Sequence, residues 1–488
     1  MSDEKVHSHS VPPLIETRPP RCPPFADITS ADDLVPYLRE VAKRPYSQGL
    51  HASWGLQEGE RVLLRVDNWH DDLPIEAAKK VFEEFGCDYE ILHSDRGPIP
   101  KYDGHDEVEV FLELTAELAG WMDEWRELEA SGKYDKLLWG FGGPILSDAQ
   151  IRIQRFPFIT PEMVASRAHT IPHEVLNAID AWTWAKLIKA RRVRITDPEG
   201  TDLTYTQHDE YFDETRDYYN DRWLEQWFAS NKDMWRTYLP GHVWGRPHFF
   251  LPDMEDGTGV VAGTMNHVGP FPHMRLVIEK SKVVDIQGGG QFGEKLRKLA
   301  AETQDLQYPG HPGKGLLYWW EASIGTNPKI HRPREGYLNG WNCAVYERMR
   351  SGIIHIGYGT VITSDLEREA AHQGLPVGHF HMHLYYPTVK MEMVDGSEET
   401  LIDRGRLGAL DDDRVRELAS QFGDPAEILE EDWIPAVPGI NVDGDYWRDY
   451  ASDPTDWTMT ELKICRRWHH LYMKMVGATH GTGTPDHH

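Results

Sequence analysis

The segment His379-Phe380-His381-Met382-His383 carries three imidazoles at alternate positions. On a β-strand successive side chains point to opposite faces, so His379, His381 and His383 share one face. Neutral imidazole is a common ligand for divalent ions, and two of them spaced as His-x-His reach one ion. The plainer alternative is a solvated, histidine-rich edge. A second signal is Glu321, which follows Leu316, Leu317, Tyr318, Trp319 and Trp320 and precedes the turn-forming Gly325-Thr326-Asn327-Pro328. A carboxylate buried there without a partner is costly, so it is either paired, metal-bound or exposed at a strand end. The third is His355, one polar ring in the apolar run Gly352–Gly359; taken alone, it reads as a hydrogen-bonded core residue. Together the three segments offer hard oxygen and imidazole nitrogen, a donor set for Fe(II), Mn(II) or Zn(II) rather than for a thiolate-loving ion.

The elements that must position these residues fall into two kinds. Arg61–Asp67 reads as a buried strand, Leu73–Phe85 as a helix with Ile75, Ala78, Val81 and Phe82 on one face, and Asp88–Leu92 as a strand. That is a βαβ unit with parallel pairing. A long helix over Val108–Glu129 and a strand at Lys136–Phe141 extend it into a doubly wound α/β domain. Gly142-Gly143-Pro144, which closes that strand, is not a dinucleotide fingerprint, and no Walker loop occurs. After a helix at Pro172–Arg191, the run Arg192–Tyr205 predicts a hairpin turning at Asp197-Pro198-Glu199-Gly200. Further strands are expected at Arg275–Glu279, Val283–Gln287, Leu316–Glu321, Gly352–Ile356 and His379–Tyr385, with a helix at Phe292–Glu302. The predicted fold class is therefore α/β, with a β-rich α+β metal-binding C-terminal domain. The expected divisions are an arm over 1–28, disordered or draped, an α/β domain over 29–185 and a catalytic domain over 186–410. The last contains a helical insertion at about 206–244, and residues 411–488 form an extension.

Composition removes several functions. The chain has 488 residues and a formal charge of −28, which opposes binding to a phosphate backbone. No stretch approaches the roughly 20 apolar residues of a membrane span, and the polar, Pro-rich N-terminus lacks the apolar core of a secretory signal. Four widely separated cysteines (Cys22, Cys87, Cys343, Cys465) argue against a disulfide scaffold or thiolate zinc site and suit a cytoplasmic protein.

Several stretches resemble the aminopeptidase T group of metallopeptidases: GLQEGERVLLRVD at Gly55–Asp67, ARRVRITDPEGTDLTY at Ala190–Tyr205, EASIGTNP at Glu321–Pro328 and IIHIGYG at Ile353–Gly359. The resemblance covers roughly residues 35 to 410 and implies an α/β domain followed by a β-rich metal-binding domain. It makes Glu321 a metal ligand and sets His381-Met382-His383 where the family has His-x-Asp. Three departures stand out. Gly259 occupies the place of a second metal-binding Glu, with Glu255 nearby but out of register. Ile362 stands where the peptidases carry a catalytic Tyr, and His383 replaces a bridging Asp. Fewer carboxylates imply one ion instead of two.

The same superfamily contains a mononuclear iron relative, 2,5-dihydroxypyridine 5,6-dioxygenase, whose ligands are two imidazoles and one carboxylate. The resemblance thus implies an Fe(II) ring-cleaving dioxygenase for a small hydroxylated aromatic or N-heteroaromatic substrate and O₂. Glu321, His381 and His383 would bind the metal, His355 would act as acid or base, and His379 would orient a ligand. Trp319, Trp320 and Tyr385 would wall an aromatic pocket, with core packing the expected role of at least one of the Trp. A homo-oligomer is the family habit. The alternative is an aminopeptidase or other single-metal hydrolase using Zn, Mn or Co.

Overall fold

Strand β1 (Arg61–Asp67) is buried along most of its length, as a strand covered on both faces must be. It pairs in parallel with β2 (Asp88–Ser94) on one side and β3 (Lys136–Trp139) on the other, and β3 pairs in parallel with β4 (Arg152–Arg155). The computed structural model describes residues 17–45, 52–95, 103–140, 151–211, 241–246, 250–251, 253–333, 346–360 and 364–475. The alternating sides of β1 explain the layers. Val62, Leu64 and Val66 pack with residues of helices Ala31–Lys43 and Asp72–Glu84, whereas Leu63 packs with Leu137 and with Trp125 of helix Glu107–Ala130. Helices thus cover both faces of a sheet ordered β2-β1-β3-β4, which is the doubly wound arrangement expected. The Gly-Gly-Pro segment lies outside the described residues.

The second half is antiparallel. The hairpin β5 (Ala190–Thr196) and β6 (Asp202–Thr206) turns where expected, with Gly200 at φ +111°, a region open mainly to glycine. Next along the chain come β7 (His242–Trp244), β8 (Thr258–Met265), β9 (Pro270–Glu279), β10 (Lys282–Gly288) and β11 (Trp319–Gly325). They are followed by β12 (Ile354–Gly359), β13 (His379–Leu384), β14 (Thr388–Met393), β15 (Glu398–Asp403) and β16 (Arg406–Leu407). One sheet runs β10-β9-β8-β6-β5-β14-β15-β16, and a smaller one runs β13-β12-β11-β7. A single large apolar core joins them, and it also takes Val108 and Phe111 from helix Glu107–Ala130.

Some expectations need correction. The strand anticipated at Leu316–Glu321 is shifted, so that Glu321 lies inside β11 rather than at its end. The strand continues because Gly325, lacking a side chain, lets the backbone carbonyls of Arg348 and Arg350 approach closely. The supposed helical insertion ends instead in β7, which pairs with β11; residues 212–240 lie outside the described residues. The arm is draped from Thr17 onward: Arg18 pairs with Glu431 at 2.5 Å and Arg21 exchanges backbone bonds with Ile434. Although the cysteine spacing argued against a disulfide scaffold, Cys22 and Cys465 form one disulfide that ties this arm to the helix Pro454–Met475. Cys87 remains a buried thiol, and Cys343 lies outside the described residues.

The C-terminal extension is part of the core rather than an appendage. Trp433, Ile434, Tyr446 and Tyr450 pack with Tyr385 and Tyr386, which follow β13 directly. Glu431 anchors it by accepting hydrogen bonds from Arg18 and Arg350, all three being buried. Glu431→Ala therefore strands two buried guanidiniums and should cost about 3–5 kcal/mol in chemical denaturation. Exposed pairs such as Arg39–Glu84 should cost under about 1 kcal/mol when broken.

Candidate metal centre

The small sheet sets its chemistry by register. In antiparallel pairing, residues directly opposite one another project from the same face. His383 lies opposite His355, which lies opposite Ser323, which lies opposite Trp244; one step along, His381 lies opposite Gly357 and Gly357 opposite Glu321. His242, two residues before Trp244, shares this face. Thus one surface gathers His379, His381, His383, His355, Glu321 and His242. Gly357 is needed in the middle of it. A Cβ there would stand 2.5 Å from Glu321 Oε2 and 2.9 Å from Glu321 Cβ, so glycine is what admits the carboxylate between the strands. His267, just after β8, brings a sixth imidazole against the same face, its ring centroid 3.5 Å from that of His381.

Among the described residues, two groups of donors are close enough to share an ion. His242, Glu321 and His355 form one, and His267, His355 and His381 the other; within each group the ligand atoms lie within 4.8 Å of one another. Glu321 Oε1 is 3.0 Å from His355 Nε2 and 3.5 Å from His242 Nε2, and Glu321 Oε2 is 3.7 Å from His381 Nε2. The His242 and His355 rings stack with Nε2 atoms 2.8 Å apart. Ser323 Oγ donates to Glu321 Oε1 at 2.8 Å and steadies the carboxylate.

Burial pushes the His355 imidazole down to about 4 against the opposing pull of Glu321, and pushes His267 and His381 well below the usual histidine range. These rings are therefore neutral near pH 7, with lone pairs available. Among the described residues His267 Nδ1, His381 Nδ1 and His383 Nε2 have no hydrogen-bond partner. Crowded neutral imidazoles, orphaned ring nitrogens and a buried carboxylate are what a divalent ion would satisfy. The residues present fit one.

Acids outside the cluster hold it in place. Glu107, fully buried at the start of its helix, accepts backbone hydrogen bonds from His267 (3.3 Å) and His381 (3.1 Å), clamping the β8–β9 loop to β13. Burial raises its carboxyl well above the ordinary range. Glu347 Oε1 lies 2.9 Å from His383 Nδ1 and accepts from Tyr385 at 2.7 Å, while Glu347 Oε2 bonds Arg332. Burial opposes ionisation of Glu347, but Arg332 and His383 outweigh it and hold the group down at about 2.

The structure brings together Glu321, His355 and His381 from the expected set. His355, expected as an acid or base beside the metal, is a member of both donor groups. His383, expected as a ligand, spends Nδ1 on Glu347 and belongs to neither group. His379, expected to orient a ligand, instead lies 3.1 Å from Glu367 on helix Ser364–His372. Trp319 and Trp320 are sealed in the core, and Tyr385 is tied to Glu347. His242 and His267 were missed because neither sits in a repeated pattern; His242 falls within a segment read as helical, and His267 lies in the loop between β8 and β9. Ile362 lies outside the described residues.

Depressed imidazole pKa values carry a pH signature. His355 has a lower pKa folded (about 4) than unfolded (about 6.5), so the unfolded chain binds its proton first. In the metal-free protein the associated stability is complete above about pH 6.5 and is lost as pH falls towards 4. Denaturation midpoints of metal-stripped protein should drop across that window, by on the order of 3 kcal/mol from His355 alone. The His355→Asn variant should show a shallower drop. In a separate measurement, Glu107→Gln should keep the clamp through its amide oxygen, whereas Glu107→Leu should lose about 1–3 kcal/mol by leaving two buried N–H groups unpaired.

No family model and no curated protein matches the chain. Among solved structures, the chain is similar to 2,5-dihydroxypyridine dioxygenase from Pseudomonas putida KT2440, with a TM-score of 0.43 and 16% identity over 78% of this chain and 98% of that one. It is also similar to wild-type AmpT from Thermus thermophilus, with a TM-score of 0.40 and 14% identity over 78% of this chain and 100% of that one. At such scores neither decides what this chain does.

Proposed function

We propose that this chain is a mononuclear non-haem Fe(II) dioxygenase that opens the ring of a hydroxylated aromatic or N-heteroaromatic compound. The observation that carries the reading is that one carboxylate, Glu321, stands among the imidazoles, within 3.5 Å of His242 and 3.0 Å of His355. Two imidazoles and one carboxylate with open positions are the donor set of non-haem Fe(II) oxygenases. Bound there, Fe(II) would supply adjacent open positions for substrate oxygens and O₂.

Among the described residues, neither Gly259 nor Glu255 supplies the second metal-binding Glu that a second ion would use. A side chain at Gly259 would collide with the backbone carbonyl of Asp202, and its φ of +140° disfavours any residue but glycine. Glu255 is committed to Arg246 at 3.0 Å and to Ser281 at 2.5 Å. On this reading Glu321, His355 and His242 hold the metal, and His381 and His267 stand beside it as neutral imidazoles able to take a proton from a substrate hydroxyl. The Glu347–His383 pair orients the edge of the cluster. The second reading is a one-zinc hydrolase, favoured by the three-imidazole group His267, His355 and His381, which is a zinc donor set that leaves a position for water.

Metal analysis after anaerobic purification should find about one iron per chain. Glu321→Ala and His355→Ala should each abolish it, whereas His383→Ala should weaken affinity by roughly 10–100-fold, as loss of an outer partner does. O₂ uptake with dihydroxylated pyridines and phenols checks the reaction. No uptake by iron-loaded protein with any of them refutes the dioxygenase, and release of p-nitroaniline from amino-acid anilides together with bound zinc supports the hydrolase.

A further inference from the structure

Of the three residues that hold the metal on this reading, His242 has the least support from its own strand. β7 is three residues long and lies at the edge of the sheet ordered β13-β12-β11-β7, where it pairs with β11. Its register sets Trp244 opposite Ser323, Val243 opposite Ile324 and His242 opposite Gly325. His242 is therefore the outermost rung of a short edge ladder, and ladder ends of this kind open first. An ion held by His242 needs that end closed.

The same register would set Gly241 against Thr326 as the next rung, and there a side chain takes the place of the ladder. Asp180, on helix His173–Ile188, accepts the backbone N–H of Gly241 at 3.0 Å through Oδ2 and the hydroxyl of Thr326 through Oδ1. One carboxylate thus bridges the two strands immediately beyond the His242–Gly325 pair. Gly241 has a φ of +82°, so the chain enters β7 through a turn open mainly to glycine, and Asp180 fixes where that turn ends. Asp180 and Thr326 are both fully buried. On its helix Asp180 stands among Leu176, Ala178, Ile179 and Ala181, and among the described residues no cation pairs with it. Burial pushes its carboxyl up to about 7 while the bonds from Thr326 and Gly241 oppose. An acid is a costly residue in an apolar helix, and the two bonds it makes both serve the entry to β7.

We propose that Asp180 is a positioning residue for the metal centre: by closing the rung between Gly241 and Thr326 it holds His242 against Glu321 and His355. This role rests on the reading that makes His242 a ligand, and not on which reaction the ion performs. An amide would serve in its place. Asn offers a carbonyl oxygen to the Gly241 N–H and an N–H to the Thr326 hydroxyl, which accepts as well as donates. Ala offers neither, and leaves β7 fixed by its own ladder alone.

The test is titration of metal-stripped full-length protein with Co(II), followed by its visible absorption, which changes with coordination geometry. Asp180→Ala should weaken Co(II) binding by roughly 10–100-fold and alter the absorption band, as loss of an outer partner does. Thr326→Val should show part of that loss, and Asp180→Asn should stay near the parent. Adding Asp180→Ala to His242→Ala should cost nothing further, because both act through one ligand. An acid that only stabilises the fold would lower the denaturation midpoint of every Asp180→Ala protein and leave the affinity and the band of the single variant as in the parent. Unchanged Co(II) affinity in Asp180→Ala, a loss that Asp180→Asn shares in full, or a full additional loss in the double variant overturns the positioning role. Should Asp180→Ala fail to fold, Thr326→Val decides, and parental affinity there overturns it. If the parent binds no Co(II), or His242→Ala binds it as the parent does, the ligand set fails and this role with it. If His242→Ala loses the ion and Asp180→Ala keeps it, the positioning role fails alone.

Discussion

Placing a carboxylate inside a β-sheet is the constraint around which this protein is arranged. Glu321 is 2% exposed, and water contributes almost nothing to its solvation. Its charge must be met by groups that the sheet itself delivers. Gly357 on the neighbouring strand leaves the space, Ser323 two residues on donates a hydrogen bond, and His355 and His242 close from the two adjacent strands. Remove any one and the carboxylate is left with an unmet charge or a steric clash. A divalent ion resolves the arrangement because it satisfies the carboxylate and the neutral imidazoles together.

The rest of the fold serves that sheet. The larger antiparallel sheet supplies β8, which ends at Met265, two residues before His267, and packs near β13. Helix Glu107–Ala130, which on its other turns covers the parallel sheet through Trp125, begins with the residue that clamps His267 to His381. One helix thus links the α/β half to the metal cluster. On the far side, Glu347 ties His383 to Arg332 and Tyr385, and Tyr385 packs on Trp433 of the extension. The C-terminal segment, the draped arm and its disulfide therefore stabilise the back of the site rather than a separate module.

Buried arginine–carboxylate pairs fix the geometry around the site more than they add stability. A buried pair such as Arg350–Glu431 adds little net stability, yet breaking it is expensive. Such pairs define geometry.

Much of this was legible in the chain before folding. Alternation of polar and apolar residues exposes the βαβ unit, the Asp197–Gly200 hairpin and the one-sided histidines of β13, because periodicity depends only on local backbone geometry. The chemical type of the site was legible for the same reason: Glu321, His355 and His381 each interrupt apolar runs where a polar side chain must have a partner. What a linear pattern does not contain is which strand lies beside which. Antiparallel register put His355 between Glu321 and His383 and made it central, turned His383 towards Glu347, and tied His379 to Glu367. It also brought in His242 and His267 from distant segments. Donor identity is a property of residues, and was decided by sequence. Donor geometry is a property of long-range pairing, whose entropy and packing are settled only when the whole chain closes, and was decided by tertiary structure.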